Sequence, residues 1–117
     1  RDVVSSTLHA VRTRWKGLGF VKNIDTVEKI AARWVYGIEK MRRYGDRAHC
    51  VRYEDLVRDP MAVMTGVGEW LGVDPTGFPT TDVSRRSVGK FRDGLTKGQL
   101  DLVSQVAGAT LVDLGYR

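Results

Sequence analysis

The sequence is poor in cysteine and proline, and it has no long apolar run. Its 117 residues include one cysteine, Cys50, and three prolines. A single cysteine cannot form an intramolecular disulfide, so nothing here points to an oxidising compartment. No stretch approaches the roughly 20 apolar residues of a membrane-spanning helix, and no signal peptide opens the chain. These absences predict a cytoplasmic protein without a membrane span.

Familiar catalytic and metal-binding patterns are also missing. One cysteine and two histidines, His9 and His49, offer no zinc-ligand spacing. The phosphate-cradling pattern GxxxxGK followed by Ser or Thr is absent, and nothing places either histidine in a Ser-His-Asp triad. We therefore expect no metal and assign no catalytic residue. What remains is recognition of an anion by hydroxyl groups, helix N-termini and basic side chains.

Positive charge is what the sequence has in excess. The formal net charge is +5, which favours an anionic partner. The basic residues fall in three separate stretches, at 12–16, 40–43 and 84–92, whereas a nucleic-acid-binding tail is more usually one block. A small basic helical module that binds nucleic acid stays open as an alternative. It would gather its basic residues on one face and lose affinity steeply with salt.

Hydrophobic spacing predicts four helices, the first over residues 2–15. The second has the clearest apolar stripe, with Asp25 and Glu28 resembling a capping box and Gly45 as its stop. Its stripe consists of Val27, Ile30, Ala31, Trp34, Val35, Ile38 and Met41.

The third and fourth helices have clear start and stop signals. Asp59 and Pro60 predict the start of the third helix, and Gly72 predicts its end. Thr96 with Gln99 predicts a capping box for the fourth. The buried stripes are expected to be Val63, Met64, Val67 and Leu71 in the third helix, and Leu100, Val103, Val106, Leu111 and Leu114 in the fourth.

Between the helices, AHCVRY at 48–53 predicts a strand, and residues 73–95 predict one long loop. A lone strand leaves its backbone hydrogen-bonding groups unpaired. Either the protein is all-α, or the partner strands lie N-terminal to Arg1.

Taken in order, these segments resemble the C-terminal part of a sulfotransferase that uses 3′-phosphoadenosine 5′-phosphosulfate (PAPS). The matching stretches are RDVVSS, a Trp-bearing helix, VRYEDLVRDP, EWLGV, SVGKFRDGLT and a terminal helix ending LGY. The resemblance implies an α/β fold, a P-loop-kinase-like parallel-sheet sandwich, of which residues 1–117 form the C-terminal part of one domain. This part would be mostly helical, with the strand near 48–53.

The resemblance also implies a set of donor-binding residues. Ser6 matches the serine that helps hold the 3′-phosphate, and Tyr53 matches the tyrosine of the Tyr-Glu-Asp motif beside the nucleotide. The loop at 84–92 matches the segment that closes over the 3′-phosphate, with Phe91 where the family often has Trp. The predicted cofactor-binding residues are Ser6, Tyr53, Arg85, Arg86, Ser87, Gly89 and Lys90.

Two acidic residues follow Tyr53 in the motif. We interpret Glu54 and Asp55 as mainly structural, binding backbone N–H groups or nearby arginines, with a catalytic carboxylate role as the alternative. Arg1 and Asp2 match the basic-Asp pair that precedes the phosphate-binding serine.

The implied activity is transfer of a sulfuryl group from PAPS to an acceptor hydroxyl or amine. The expected partners are the small-molecule donor and an acceptor that the sequence does not identify, without nucleic acid; a homo-oligomer is left open. The family's catalytic base and 5′-phosphosulfate loop would lie N-terminal to Arg1, so the isolated chain is expected to be inactive. A nucleotide kinase fragment is a further alternative, which a GxxxxGK pattern upstream would identify.

Overall fold

In the computed structural model, which describes residues 1–116, the regular elements are helices. Six α-helices follow one another: α1 Asp2–Thr13, α2 Val27–Arg43, α3 Tyr53–Arg58, α4 Pro60–Leu71, α5 Phe91–Gly94 and α6 Lys97–Asp113. Short 3₁₀ turns occur at Gly19–Asn23, Gly45–Arg47, Pro75–Gly77 and Arg85–Ser87. None of the described helices is long and apolar enough to cross a membrane.

The predicted parallel-sheet α/β fold is wrong for the described residues, since none of them lies in a strand. Residues 48–52 have no regular structure, and Tyr53 is the first residue of α3. A strand needs a neighbour to satisfy its backbone groups, and residues 1–116 supply none. Glu54 and Asp55 instead lie in the first turn of α3, where acidic side chains favour a helix.

The chain divides into two compact units. The first unit comprises residues 1–40 and the described residues from 89 onward, and the second unit comprises Met41–Val88. The core of the first unit is built from apolar stripes on α1, α2 and α6, together with two loop residues. Its buried residues are Val4, Leu8, Val11, Ile24, Val27, Ile30, Ala31, Leu95, Val103, Ala107 and Leu111.

In α6 the buried face follows a four-residue step. Val103, Ala107 and Leu111 are buried, while Val106, predicted in the buried stripe, is 37% exposed. The predicted capping box is confirmed. The Gln99 N–H donates to Thr96 Oγ1 at 3.3 Å, and the Thr96 N–H donates to Gln99 Oε1 at 2.9 Å.

The start of α2 differs from its predicted capping box. The Lys29 N–H donates to the Thr26 hydroxyl at 3.3 Å, so Thr26 takes the capping position expected of Asp25. Asp25 instead accepts a hydrogen bond from Lys29 Nζ at 2.6 Å. This ionic hydrogen bond lowers the pKa of the Asp25 carboxyl below its usual 3.8.

The second unit contains α3 and α4. Asp59 caps α4 as predicted, since its Oδ1 accepts from the Ala62 N–H at 3.0 Å. Gly72 ends the helix in the left-handed conformation, with φ 68°. Leu71, predicted in the buried stripe, is 53% exposed, and Val57 on α3 is buried.

The predicted loop at 73–95 is only partly irregular. It contains two 3₁₀ turns and the short helix α5.

Candidate anion-binding site

The side chain of Asp2 joins the start of α1 to the turn that leads into α5. Asp2 Oδ2 accepts a hydrogen bond from the Gly89 N–H at 2.8 Å, and Oδ1 accepts one from the Phe91 N–H, also at 2.8 Å. Both bonds are partly buried. One carboxylate therefore fixes two backbone groups of residues 84–92, called the basic segment below, on either side of Lys90.

Ser6 lies on the face of α1 that carries Asp2. Residues four apart share a helix face, and α1 packs against α5. Ser5 on this face touches Gly94, where a Cβ atom would overlap the Ser5 hydroxyl. Ser6 is exposed, and its Oγ donates to the Val3 carbonyl at 3.2 Å. The first unit thus brings the helix that carries Ser6 against the 89–94 segment.

Two guanidinium groups lie close to the ring of Phe91. The guanidinium carbon of Arg1 lies 5.5 Å from the ring centroid, and that of Arg92 lies 5.3 Å from it, both within cation–π range. Lys90 precedes the ring in sequence, and its side chain is exposed. Three positive charges therefore lie in or beside the turn that Asp2 holds.

In the second unit, Tyr53 and Arg85 connect α3 to the other half of the basic segment. The Tyr53 hydroxyl donates to the Ser84 carbonyl at 3.3 Å. Arg85 Nε donates to the Val57 carbonyl at 3.1 Å, and its Nη2 donates to the Arg58 carbonyl at 3.4 Å. Arg85 thereby satisfies carbonyl groups in the last turn of α3, which have no partners within the helix.

Three other residues that were predicted to bind the cofactor have free side chains in the described part of the chain. Arg86, Ser87 and Lys90 are exposed, and within residues 1–116 their side chains make no hydrogen bond or ion pair. The two units therefore hold different parts of the predicted set. The first unit contains Ser6, Gly89 and Lys90, and the second contains Tyr53, Arg85, Arg86 and Ser87.

Asp55 has the structural role predicted for it. Its Oδ1 lies 2.7 Å from Arg58 Nη2, three residues along the chain. Across residues 1–116, no three His, Cys, Asp or Glu side chains group as metal ligands would.

The role of Asp2 was not predicted from the sequence. An acidic residue in the first turn of a helix is common, because it complements the helix dipole. Its hydrogen-bond partners lie 87 and 89 residues away, so local spacing cannot identify them. The pairing of Arg85 with the end of α3 was missed for the same reason, since its acceptors lie 27 and 28 residues back.

Comparison with known families identifies the chain. The model of the sulfotransferase family matches residues 1–77, which is more than half of the sequence. The chain therefore belongs to the sulfotransferase family. The match includes Ser6 and Tyr53 and ends before the basic segment at 84–92. No curated protein and no solved structure gives a significant match.

Proposed function

We propose that this chain forms the 3′-phosphate and adenosine side of the donor site in a PAPS-dependent sulfotransferase. The observation that carries the proposal is the pair of hydrogen bonds from the Gly89 and Phe91 N–H groups to Asp2. They tie the basic turn to the helix that bears Ser6. These two segments are remote in sequence, and the family resemblance assigns both to the same phosphate.

The groups of the first unit suit a phosphate chemically. A phosphate is bound best by charged donors and hydroxyl groups. Lys90 offers an exposed ammonium group, and Ser6 offers a hydroxyl that is engaged only with a carbonyl of its own helix. The negative charge of Asp2 lies nearby, but both of its oxygens already accept backbone N–H groups. The Gly89 N–H is therefore already used by Asp2, and the donors that remain for the ligand are the Lys90 ammonium group and the Ser6 hydroxyl.

In the second unit, the family resemblance assigns an aromatic ring and further cationic donors to the nucleotide. Tyr53 is 43% exposed, so part of its ring remains available to an adenosine. Arg86 has its full fork of N–H donors, which suits bidentate contact with a phosphate. Arg85 keeps donors beyond the two that the α3 carbonyls use. We therefore assign Arg86 and Ser87 to the ligand and expect Arg85 to serve both the fold and the ligand.

PAPS supplies the sulfuryl group that is transferred to an acceptor hydroxyl or amine. The residues of this chain bind and orient the donor, which is the main task of a protein in such group transfers. We assign no catalytic base within residues 1–117. The isolated chain should bind nucleotide without transferring the sulfuryl group.

Calorimetry on the complete protein that carries this chain tests the proposal. Adenosine 3′,5′-bisphosphate should bind more tightly than adenosine 5′-monophosphate, which lacks the 3′-phosphate. Arg86→Ala and Lys90→Ala should each weaken the bisphosphate by about 1.5–3 kcal/mol, as expected when a hydrogen bond to a charged group is lost. The monophosphate should change little.

Lys97→Ala, which removes an exposed charge at the start of α6, is the matched control. Equal losses for both nucleotides would refute the site assignment. Tight binding of nucleic acid with a steep salt dependence, without nucleotide discrimination, would favour the basic-module alternative.

A further inference from the structure

We propose that Asp2 is a positioning residue that preforms the 3′-phosphate site by clamping the turn from Gly89 to Phe91. This inference rests on the function proposed above. It assigns a role to a side chain that does not itself touch the ligand.

The clamp acts on the entry to α5, where Phe91 packs against the core of the first unit and the Gly89 and Lys90 carbonyls accept N–H groups of α5, while the N–H groups of Gly89 and Phe91 are held by Asp2. Lys90 is exposed, and the 3₁₀ turn before Val88 has no side-chain cap. Ordering such a segment upon binding would cost conformational entropy. Because the two Asp2 oxygens hold the N–H groups on either side of Lys90, that entropy is already lost before the ligand arrives.

Gly89 shows that the clamped conformation is specific. Its φ is +80°, in the left-handed region, and a Cβ atom there would lie 2.7 Å from Arg92 Nη1. A side chain at this position would therefore strain the backbone, and the end of the Arg92 side chain would have to move. The Asp2 carboxylate and the positive φ of Gly89 together define the backbone geometry of the turn.

A competing role for the carboxylate gives the opposite prediction. Adjacent N–H groups in a turn can bind anions themselves, so Asp2 could instead occupy the place of the phosphate. Removing its charge would then strengthen nucleotide binding. The sign of the affinity change separates positioning from competition.

The test is Asp2→Asn in the complete protein, measured by calorimetry with the same two nucleotides. Asparagine keeps the shape but has one carbonyl oxygen, and its NH₂ group would face one of the two N–H donors. We expect binding of adenosine 3′,5′-bisphosphate to weaken about tenfold. Binding of adenosine 5′-monophosphate should change less than about twofold, because this nucleotide does not use the clamped turn.

Asp101→Asn is the control, since Asp101 is exposed on α6 and the substitution makes the same change in charge. It should leave both affinities unchanged. If Asp2→Asn does not fold, Asp2→Glu decides the question. Glutamate restores both oxygens on a longer stem, so it should show a smaller loss that is still selective for the bisphosphate.

Unchanged or tighter binding of the bisphosphate in the deciding variant would overturn the positioning role, as would equal losses for both nucleotides. Failure of the proposed function would look different. In that case the wild-type protein would itself fail to prefer the bisphosphate.

Discussion

Asp2 and Gly89 are joined by a 2.8 Å hydrogen bond although 87 residues separate them in sequence. This contact joins the N-terminal and C-terminal segments that make up the first unit. It sets the start of α1 against the turn before α5, so that a serine-bearing helix and a lysine-bearing turn belong to one packed body. Within the first unit, that arrangement fixes the Gly89–Phe91 turn against the start of α1.

Neighbouring arginines in the basic segment should have different roles. Arg85→Ala removes donors to the Val57 and Arg58 carbonyls and should lower the free energy of unfolding by about 1–2 kcal/mol. Arg86→Ala, which loses no such contact, should change it by less than about 0.5 kcal/mol. Chemical denaturation of both variants measures the difference. Equal destabilisation would contradict the assignment of Arg85 to the end of α3.

A second pair of neighbours tests the core of the first unit. Leu111 is 5% exposed and Val112 is 74% exposed. Leu111→Ala should reduce the free energy of unfolding by about 2–5 kcal/mol, because it leaves a cavity. Val112→Ala should have an effect below about 0.5 kcal/mol. A comparable loss in both variants, measured by urea denaturation, would show that α6 presents a different face to the core.

The two units should differ in local stability. The buried cluster lies on α1, α2 and α6, whereas Val57 is the buried hydrophobic residue found within Met41–Val88. Local opening needs less free energy where few apolar contacts are buried. Amide hydrogen exchange should therefore be faster in α4 than in the middle of α6. Equal protection of the two helices would contradict this prediction.

Acid titration should report the contact between Asp25 and Lys29. The hydrogen bond from Lys29 lowers the pKa of Asp25, so the ionised carboxylate stabilises the fold above its unfolded pKa. That contribution is lost as the pH falls through the lower folded value. NMR should give an Asp25 midpoint below 3.8, returning toward that value in Lys29→Ala.

Asp74 serves as the internal control for this titration. Its pKa is lowered by hydrogen bonds from the Thr76 N–H and hydroxyl, so Lys29→Ala should leave it unchanged. A parallel rise at Asp74 would point to a general electrostatic effect instead of the specific contact.

The sequence predicted the local features of the fold well and the long-range ones poorly. Asp59 capping α4, Gly72 ending it and the Thr96–Gln99 capping box depend on residues within a few positions, so spacing reveals them. The prediction of a strand at 48–53 was wrong. It relied on the β propensity of these residues, and the described part of the chain provides no neighbouring strand. Pairing is a tertiary property that six residues cannot specify.

The candidate site divides in the same way. Ser6, Tyr53 and the basic segment were predicted as site residues because their motifs and order resemble a family. The hydrogen bonds of Asp2 with Gly89 and of Arg85 with α3 were not predicted, since their donors and acceptors come from distant parts of the chain. These groups meet only in the folded chain, so the spacing of residues along the sequence does not predict their contacts.

The most direct test of the central claim is a crystal structure of the complete protein with adenosine 3′,5′-bisphosphate. We predict that an oxygen of the 3′-phosphate lies within about 3 Å of Ser6 Oγ and of Lys90 Nζ, with the Asp2 hydrogen bonds to Gly89 and Phe91 intact. A 3′-phosphate bound away from α1 and the clamped turn, or a 5′-phosphate in its place, would contradict the account.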